Sequence, residues 1–288
     1  MVAGVESRIL QKLQEWEQAD GKLPDLVRLY REWLQIQVEA LSGIGVAGSS
    51  LSADAVRHRL RWGVPLLALE ELALDWSQVA TVFARVAAWA NGEPGGSSEE
   101  AERVTNIAHD RSLLGQVVRT WYQGRPLRPL AAEHGVDHDL LSSVVGATLR
   151  PFLLAHSQAL VPQVDQESWR RRYCPICGGR PDFAYLDREK GARWLLCSRC
   201  DADWLFQRLE CPYCGTREQE ALAYFADEQA GQLYRLYVCE RCRTYLRAVD
   251  LRCTQTEVLL PLERVLTLYI AEQAREQGYR PGCVAAGL

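Results

Sequence analysis

Residues 193–215, RWLLCSRCDADWLFQRLECPYCG, hold two CxxC pairs, Cys197/Cys200 and Cys211/Cys214, with only ten residues between them. Whether these four sulfurs share one ion or each pair belongs with a different partner decides the fold. Two further pairs flank them, CPIC at Cys174 and Cys177 and CERC at Cys239 and Cys242, so the gaps between pairs are 19, 10 and 24 residues. A CxxC turn points two sulfurs into one hemisphere, and two such turns supply a tetrahedral four-thiolate site. Eight sulfurs make two sites.

Internal repetition settles the pairing. CPICG is followed after 18 residues, the last two of them LL, by Cys197 and Cys200 in CSRC, and CPYCG after 23 residues, the last two YV, by Cys239 and Cys242 in CERC. Each unit opens with CPxCG and closes with CxRC and an aromatic residue, Trp204 or Tyr245, three or four positions on. The chain therefore carries a duplicated module. Cys174, Cys177, Cys197 and Cys200 are expected on a first ion, and Cys211, Cys214, Cys239 and Cys242 on a second, so Cys200 and Cys211 part company.

The residues beside the sulfurs fit this chemistry. In CPxCG the proline pre-sets a turn, and Gly178 or Gly215 can take positive φ so that successive N–H groups aim at sulfur. Asp201 and Arg243 hold the same place after the second pairs, where the turn is less ideal. Arg180, Arg199, Arg241 and Arg247 are near enough in sequence to offset the charge of a four-thiolate centre. Tetrahedral sulfur suits zinc and a rubredoxin-like iron centre alike. A dithiol redox role would need a βαβ context, which this region lacks.

Length and composition bound the rest. At 288 residues the chain is long enough for two domains, each with its own core. Its 48% apolar and 24% charged residues, without an apolar run near the roughly 18 needed to cross a bilayer, exclude direct membrane insertion. The first residues, MVAGVESRILQKLQEWEQAD, show neither an apolar signal core nor a twin-arginine motif, which reads as cytoplasmic. Ten cysteines without an export signal, eight of them in CxxC pairs, point to reduced thiolates on metal rather than to disulfides. The remaining two, Cys253 and Cys283, have no activating neighbour and read as lone thiols.

Charge is uneven. Residues 1–168 carry 15 Lys/Arg against 21 Asp/Glu, and residues 169–253 carry 15 against 12. Two four-thiolate centres of −2 each bring that basic middle to about −1, leaving little basic surface for a phosphate backbone.

The first half reads as helices. VESRILQKLQEWEQ places Val5, Ile9, Leu13 and Trp16 on one face, and PDLVRLYREWLQIQVEAL places Leu26, Leu29, Trp33 and Ile36 likewise. Asp75 precedes WSQVATVFARVAAWA as a cap, Ser97 with Glu100 fits a capping box, and NGEPGGSSEE (91–100) is a loop. At about Trp169 this periodicity gives way to short Tyr-, Trp- and Leu-rich runs. After Cys253 one more helix is expected, with Pro261 in its first turn and Gly278 past its end. The fold expected is α+β and multidomain: a helical domain (1–168), two tandem rubredoxin-like or zinc-ribbon β modules (169–208 and 209–253), and a C-terminal helix and tail (254–288).

Other candidates are weaker. LRPLAAEHGVDHDLLSSVV (127–145) has the Ala131, Gly135 and Leu141 spacing of a helix-turn-helix, which with metal ribbons would suggest a nucleic-acid-binding regulator. Its second helix opens Asp137, His138, Asp139 and shows no Lys or Arg until Arg150, whereas a reading helix needs donors. His134 and His138 are four apart but separated by Gly135 and Asp137, and His109 with Asp110 has no nucleophile in view. No phosphate loop, GxSxG or HExxH is present, so no catalytic residue is expected.

With these motifs in hand, the chain resembles the formate dehydrogenase accessory protein family, FdhE. The resemblance is carried by YCPICGGRP (173–181), RWLLCSRCDADWLFQRLECPYCG (193–215), CERCRTYL (239–246) and EQGY (276–279), with a looser match in LRPFLLAHSQAL (149–160). It implies a cytoplasmic, non-catalytic assembly factor whose two rubredoxin-like modules bind iron, with zinc as the alternative metal. Its implied partner is the catalytic subunit of a respiratory, molybdenum- or tungsten-dependent formate dehydrogenase, with no nucleic acid; a homo-oligomer is compatible with the sequence. The chain departs from the family where an acidic, Leu-rich motif is usual in the last helix and here reads LERVLTLYI (262–270).

Overall fold

The computed structural model describes residues 4–45, 51–89, 99–227 and 230–283. Its helices run in the order α1 (Val5–Asp20), α2 (Asp25–Gly43), α3 (Ala53–Trp62), α4 (Trp76–Ala88), α5 (Glu99–Ile107), α6 (Arg111–Tyr122), α7 (Arg128–Glu133) and α8 (His138–Leu160). Three of them begin on an aspartate that satisfies orphan N–H groups. Asp75 accepts from Ser77 and Gln78, Asp110 from Ser112 and Leu113, and Asp137 from Asp139 and Leu140. The loop at 91–98 and the capping residue Ser97 lie outside the described residues. Glu100 accepts the backbone N–H of Asp137 at 2.7 Å.

The described residues within Met1–Val46 and Leu69–Ala155 form one compact unit, and those within Ala47–Ala68 and His156–Ala286 the other. In the first unit Ile9 and Leu13 are fully buried as their spacing requires, while Val5 lies at the exposed end of the stripe. On α2 the buried stripe is Val27, Leu34, Ile36, Gln37 and Ala40, and Leu26 is exposed, so the face expected from Leu26 and Leu29 is turned. The cause is a polar residue in the core. Pro151 inside α8 has no N–H to give to the carbonyl of Ala147, and the Gln37 amide donates to that carbonyl at 2.9 Å. Arg150 donates to the other end of Gln37 at 3.0 Å and pairs with buried Glu6 at 3.1 Å.

The second unit is built on one sheet. Its strands are β1 (Pro181–Leu186), β2 (Arg193–Cys197), β3 (Asp203–Phe206), β4 (Leu222–Ala226), β5 (Tyr234–Cys239), β6 (Thr244–Asp250) and β7 (Arg280–Pro281). Each duplicated module contributes an antiparallel three-stranded meander, β1-β2-β3 or β4-β5-β6. The two meanders are joined edge to edge by a parallel pairing of β1 with β6, in which Phe183 faces Arg247 and Leu186 faces Asp250. The order is β3-β2-β1-β6-β5-β4, with β7 added to β6.

The single helix expected after Cys253 is two, α9 (Leu260–Leu266) and α10 (Leu268–Glu276). Arg247 of β6 causes the break, because its guanidinium donates to the carbonyl of Arg264 and to the Thr267 hydroxyl. The Thr267 hydroxyl in turn donates to the carbonyl of Glu263 at 2.8 Å. α10 packs Ile270, Ala271 and Ala274 on Leu236, Val238 and Tyr245 of the sheet. The architecture is thus an N-terminal helical part, a β region with two four-cysteine clusters, and C-terminal helices. No helix among the described residues is long and apolar enough to cross a membrane.

Candidate metal centres

The cysteines gather as the repeat requires. Cys174, Cys177, Cys197 and Cys200 form one cluster, and Cys211, Cys214, Cys239 and Cys242 the other, all ligand atoms of a cluster lying within 4.8 Å of one another. Across the first, Cys174 Sγ lies 3.5 Å from Cys200 Sγ and Cys177 Sγ 3.5 Å from Cys197 Sγ. Across the second, the Cys211–Cys242 and Cys214–Cys239 separations are both 3.7 Å. All ten cysteines are free thiols. A tetrahedral ion with metal–sulfur bonds of about 2.3 Å sets its sulfurs about 3.8 Å apart, so either cluster can hold one metal ion with little movement.

Each CxxC pair sits in the same turn. The residue after every second cysteine has positive φ: Gly178 at 71°, Asp201 at 53°, Gly215 at 78° and Arg243 at 52°. Glycine takes this conformation freely, whereas a non-glycine residue does so at a cost of about 1–2 kcal/mol. Asp201 and Arg243 are both held by side-chain partners. Asp201 pairs with Arg264 at 2.9 Å, and Arg243 stacks 4.0 Å from the Tyr279 ring while pairing with Glu240. The turn aims N–H groups at sulfur: Ile176 N–H reaches Cys174 at 3.3 Å, Arg199 N–H reaches Cys197 at 3.4 Å and Tyr213 N–H reaches Cys211 at 3.5 Å.

Burial distinguishes the clusters. All four cysteines of the first are buried, while Cys214 and Cys242 of the second are half-buried. Residues far away in sequence seal the first. The N–H groups of Leu66 and Leu67 donate to the carbonyls of Pro175 and Ile176, both at 2.9 Å, and Tyr173 donates to the carbonyl of Gly63 at 2.7 Å. Burial pushes the Cys174 and Cys200 thiols up, and hydrogen bonds from the other three sulfurs pull Cys177 well down. In the second cluster burial raises Cys211 and Cys239, while for Cys214 the Thr216 N–H and neighbouring sulfurs outweigh burial and lower it. A cation bound in such a cage would displace the thiol protons that burial favours.

Two arginines that the spacing of cysteines does not reveal, half-buried Arg264 and buried Arg193, hold these cages. Arg264 of α9 donates to the carbonyl of Cys197 at 3.0 Å and pairs with Asp182 at 3.2 Å and with Asp201. Burial pushes the Asp182 carboxyl up despite Arg264 and Arg247 beside it. Arg193 of β2 is buried, its guanidinium over Phe206 and Tyr237 at 5.3 and 5.6 Å. It donates to the carbonyls of Gln207 and Glu210, clamping the link that leads into Cys211, and burial lowers its pKa to about 10. The signal available in sequence was an Arg in LERVL and another opening RWLL, both on faces otherwise apolar.

The other sequence candidates are placed elsewhere. Cys253 is exposed, and burial pushes the Cys283 thiol up to about 12. Gly135, with φ of 63°, separates His134 from His138, and His138 lies 3.3 Å from Arg128 between the exposed Asp137 and Asp139. Arg150, the first basic residue of the would-be reading helix, is committed to Glu6 and Gln37.

Known proteins align with these features. The family model "FdhE, central domain" matches residues 173–208, the span of the first cage. A protein FdhE homolog of Aquifex aeolicus is 32% identical over 151 residues, 51% of this chain and 52% of the relative, so the chain spans about half the length of that protein. A protein FdhE homolog of Pseudomonas aeruginosa is 28% identical over 77% of this chain and 71% of its own. The crystal structure of the FdhE protein from Pseudomonas aeruginosa shares the fold, with a TM-score of 0.60 at 19% identity over 98% of this chain and 94% of the other. Central-domain motif, named relatives and shared architecture agree: the first cage matches the FdhE central domain, and the chain is similar to FdhE proteins in sequence and in fold.

Proposed function

We propose that this chain is a non-catalytic, cytoplasmic accessory factor for a respiratory formate dehydrogenase, acting on its catalytic subunit during assembly, with one iron ion in each four-cysteine cage. Similarity to FdhE proteins supports the accessory role. The observation that carries the metal reading is the pair of sulfur cages at tetrahedral spacing. Cys174, Cys177, Cys197 and Cys200 would hold the first ion, and Cys211, Cys214, Cys239 and Cys242 the second. Iron on four thiolates supplies one-electron exchange, and zinc in the same place supplies only a crosslink.

The chain's own residues fix the cages rather than perform chemistry. Arg264 and Arg193 hold neighbouring carbonyls and carboxylates, and the 63–67 segment shields the first cage from water.

The test is elemental analysis with an absorption spectrum of protein purified from iron-replete cells. Two irons per chain and a visible ferric-thiolate band bleached by dithionite are expected; zinc alone without that band overturns the iron assignment. Deletion of the gene should abolish formate-dependent dye reduction, and unchanged reduction would remove the accessory role.

A further inference from the structure

The two edges of the sheet are treated differently. At the β3 edge the chain covers itself: the Gln166 side chain accepts the N–H of Leu205 at 3.2 Å, and Trp204 donates to the carbonyl of Arg171 at 2.9 Å. At the other edge, β4 pairs only with β5 among the described residues. Proteins usually guard such an edge with a charge, a proline or a bulge within the strand. β4 reads LAYFA and contains none of these.

The register shows what β4 offers. Asp227 N–H donates to Tyr234 O at 3.0 Å and Glu240 N–H to Ala221 O at 2.9 Å, so residues 221 and 227 point their backbone groups at β5. With Leu222 opposite Cys239 and Ala226 opposite Arg235, the N–H and C=O groups of Leu222, Tyr224 and Ala226 point away from the sheet. The side chains on either face are large and open, Tyr224 being 53% and Phe225 52% exposed. Beside Phe225 lies a groove of about 380 Å³, lined by Asp227, Leu236, Tyr269, Ile270 and Gln273 among others.

Charge selects the occupant. Residues 218–227, EQEALAYFAD, carry three carboxylates and no basic residue. Glu218 is engaged by Arg241 at 3.2 Å, Asp227 accepts from the Tyr269 hydroxyl, and Glu220 is exposed. A second copy paired antiparallel about Tyr224 would bring the acidic start of each strand, at Glu218 and Glu220, to the acidic end of the other, at Asp227, and like charges repel. We propose that the β4 edge binds an extended segment of a partner protein in which basic residues alternate with apolar ones, added to the sheet as an extra strand. The surface needs neither the identity of the metal nor that of the dehydrogenase.

The probes are three fluorescein-labelled octapeptides: alternating lysine and valine, alternating glutamate and valine, and the lysine peptide N-methylated at alternate residues. Fluorescence anisotropy on metal-loaded protein should show the lysine peptide binding at least about tenfold more tightly than either of the others. Ala226→Pro removes one outward N–H and leaves the β5 ladder intact; it should weaken the lysine peptide about tenfold, with unchanged metal content and circular dichroism. Should that variant unfold, Glu220→Lys, which touches no ladder group, should weaken the same peptide several-fold. Equal binding of the three peptides, or binding that survives Ala226→Pro in folded protein, overturns the proposal. So does a dimer in sedimentation that Ala226→Pro dissolves, because the edge would then belong to a second copy.

Discussion

Arg264, in the α9 helix, lies 2.9 Å from Asp201, the residue that closes the first sulfur cage with a φ of 53°. The same guanidinium reaches Asp182 and the carbonyl of Cys197, so one side chain ties the C-terminal helices to the first cage. Arg264→Leu removes an ion-pair partner from two mostly buried carboxylates, Asp182 and Asp201, which costs about 3–5 kcal/mol. Thermal melts of the metal-loaded variant should show that loss, and a chelator should draw the first ion faster. A melting point unchanged from the parent would mean that Arg247 alone holds both acids.

The difference in burial predicts an order of metal release. Cys214 and Cys242 are half-buried, and the first quartet is fully enclosed. With zinc loaded into both cages, a chromogenic chelator should remove the ions in two phases, the faster from the second cage by about tenfold or more. Cys211→Ser should abolish the fast phase and Cys174→Ser the slow one. Loss of both ions from either variant would contradict separate cages.

Gly282 passes close to the Tyr213 ring, and a Cβ placed there would stand 2.3 Å from two of its carbons. Tyr213 lies within the CPYC turn and donates to the carbonyl of Pro181 at 3.1 Å. Gly282→Ala should therefore destabilise the protein by about 1–3 kcal/mol, as overpacking does. The penalty should shrink in a Tyr213→Val background, since the two residues are in contact. Denaturant melts of the four proteins measure the coupling, and additive losses would place the strain elsewhere.

Asp250 ends β6 without exposure to water, between Arg235 and Arg252. Burial pushes its carboxyl up, but hydrogen bonds from Arg252 and the charge of Arg235 outweigh that and hold it below the usual carboxylate range. A depressed carboxylate stabilises the folded state above the unfolded pKa of about 3.9 and loses that contribution as pH falls through the lower folded value. Asp250→Asn should be strongly destabilised at pH 7, and the gap between its melting point and the parent's should narrow below about pH 4. A gap constant from pH 7 to pH 3 would show that the charge of Asp250 plays no part.

The cages were legible because their information is local. The four CxxC turns, the repeated CPxCG and the glycines after them are each written within a few residues. The caps at Asp75 and Asp110 are local as well. What the sequence hid is contact between distant segments. Nothing near Cys174 announces that Leu66 and Leu67 will donate to its turn, and no spacing tells that β1 and β6 will pair. The break at Thr267 was hidden for the same reason, since its cause is Arg247 on another element. The turned face of α2 follows from Gln37, whose polarity hid a core position created by Pro151.

The parallel seam between β1 and β6 makes the duplicated halves share a single ladder. Each copy is free to drift in composition, but neither can gain or lose a residue inside that ladder without throwing its twin out of alignment. Insertions are tolerated only outside it, such as in the stretch between the CPxC pair and the first strand of each copy, 178–180 in the first and 215–221 in the second, which is where the second copy has grown longer. Two ancestral repeats have thereby become one heritable piece, and a break in the gene between them would leave each fragment with an open flank in place of its sibling.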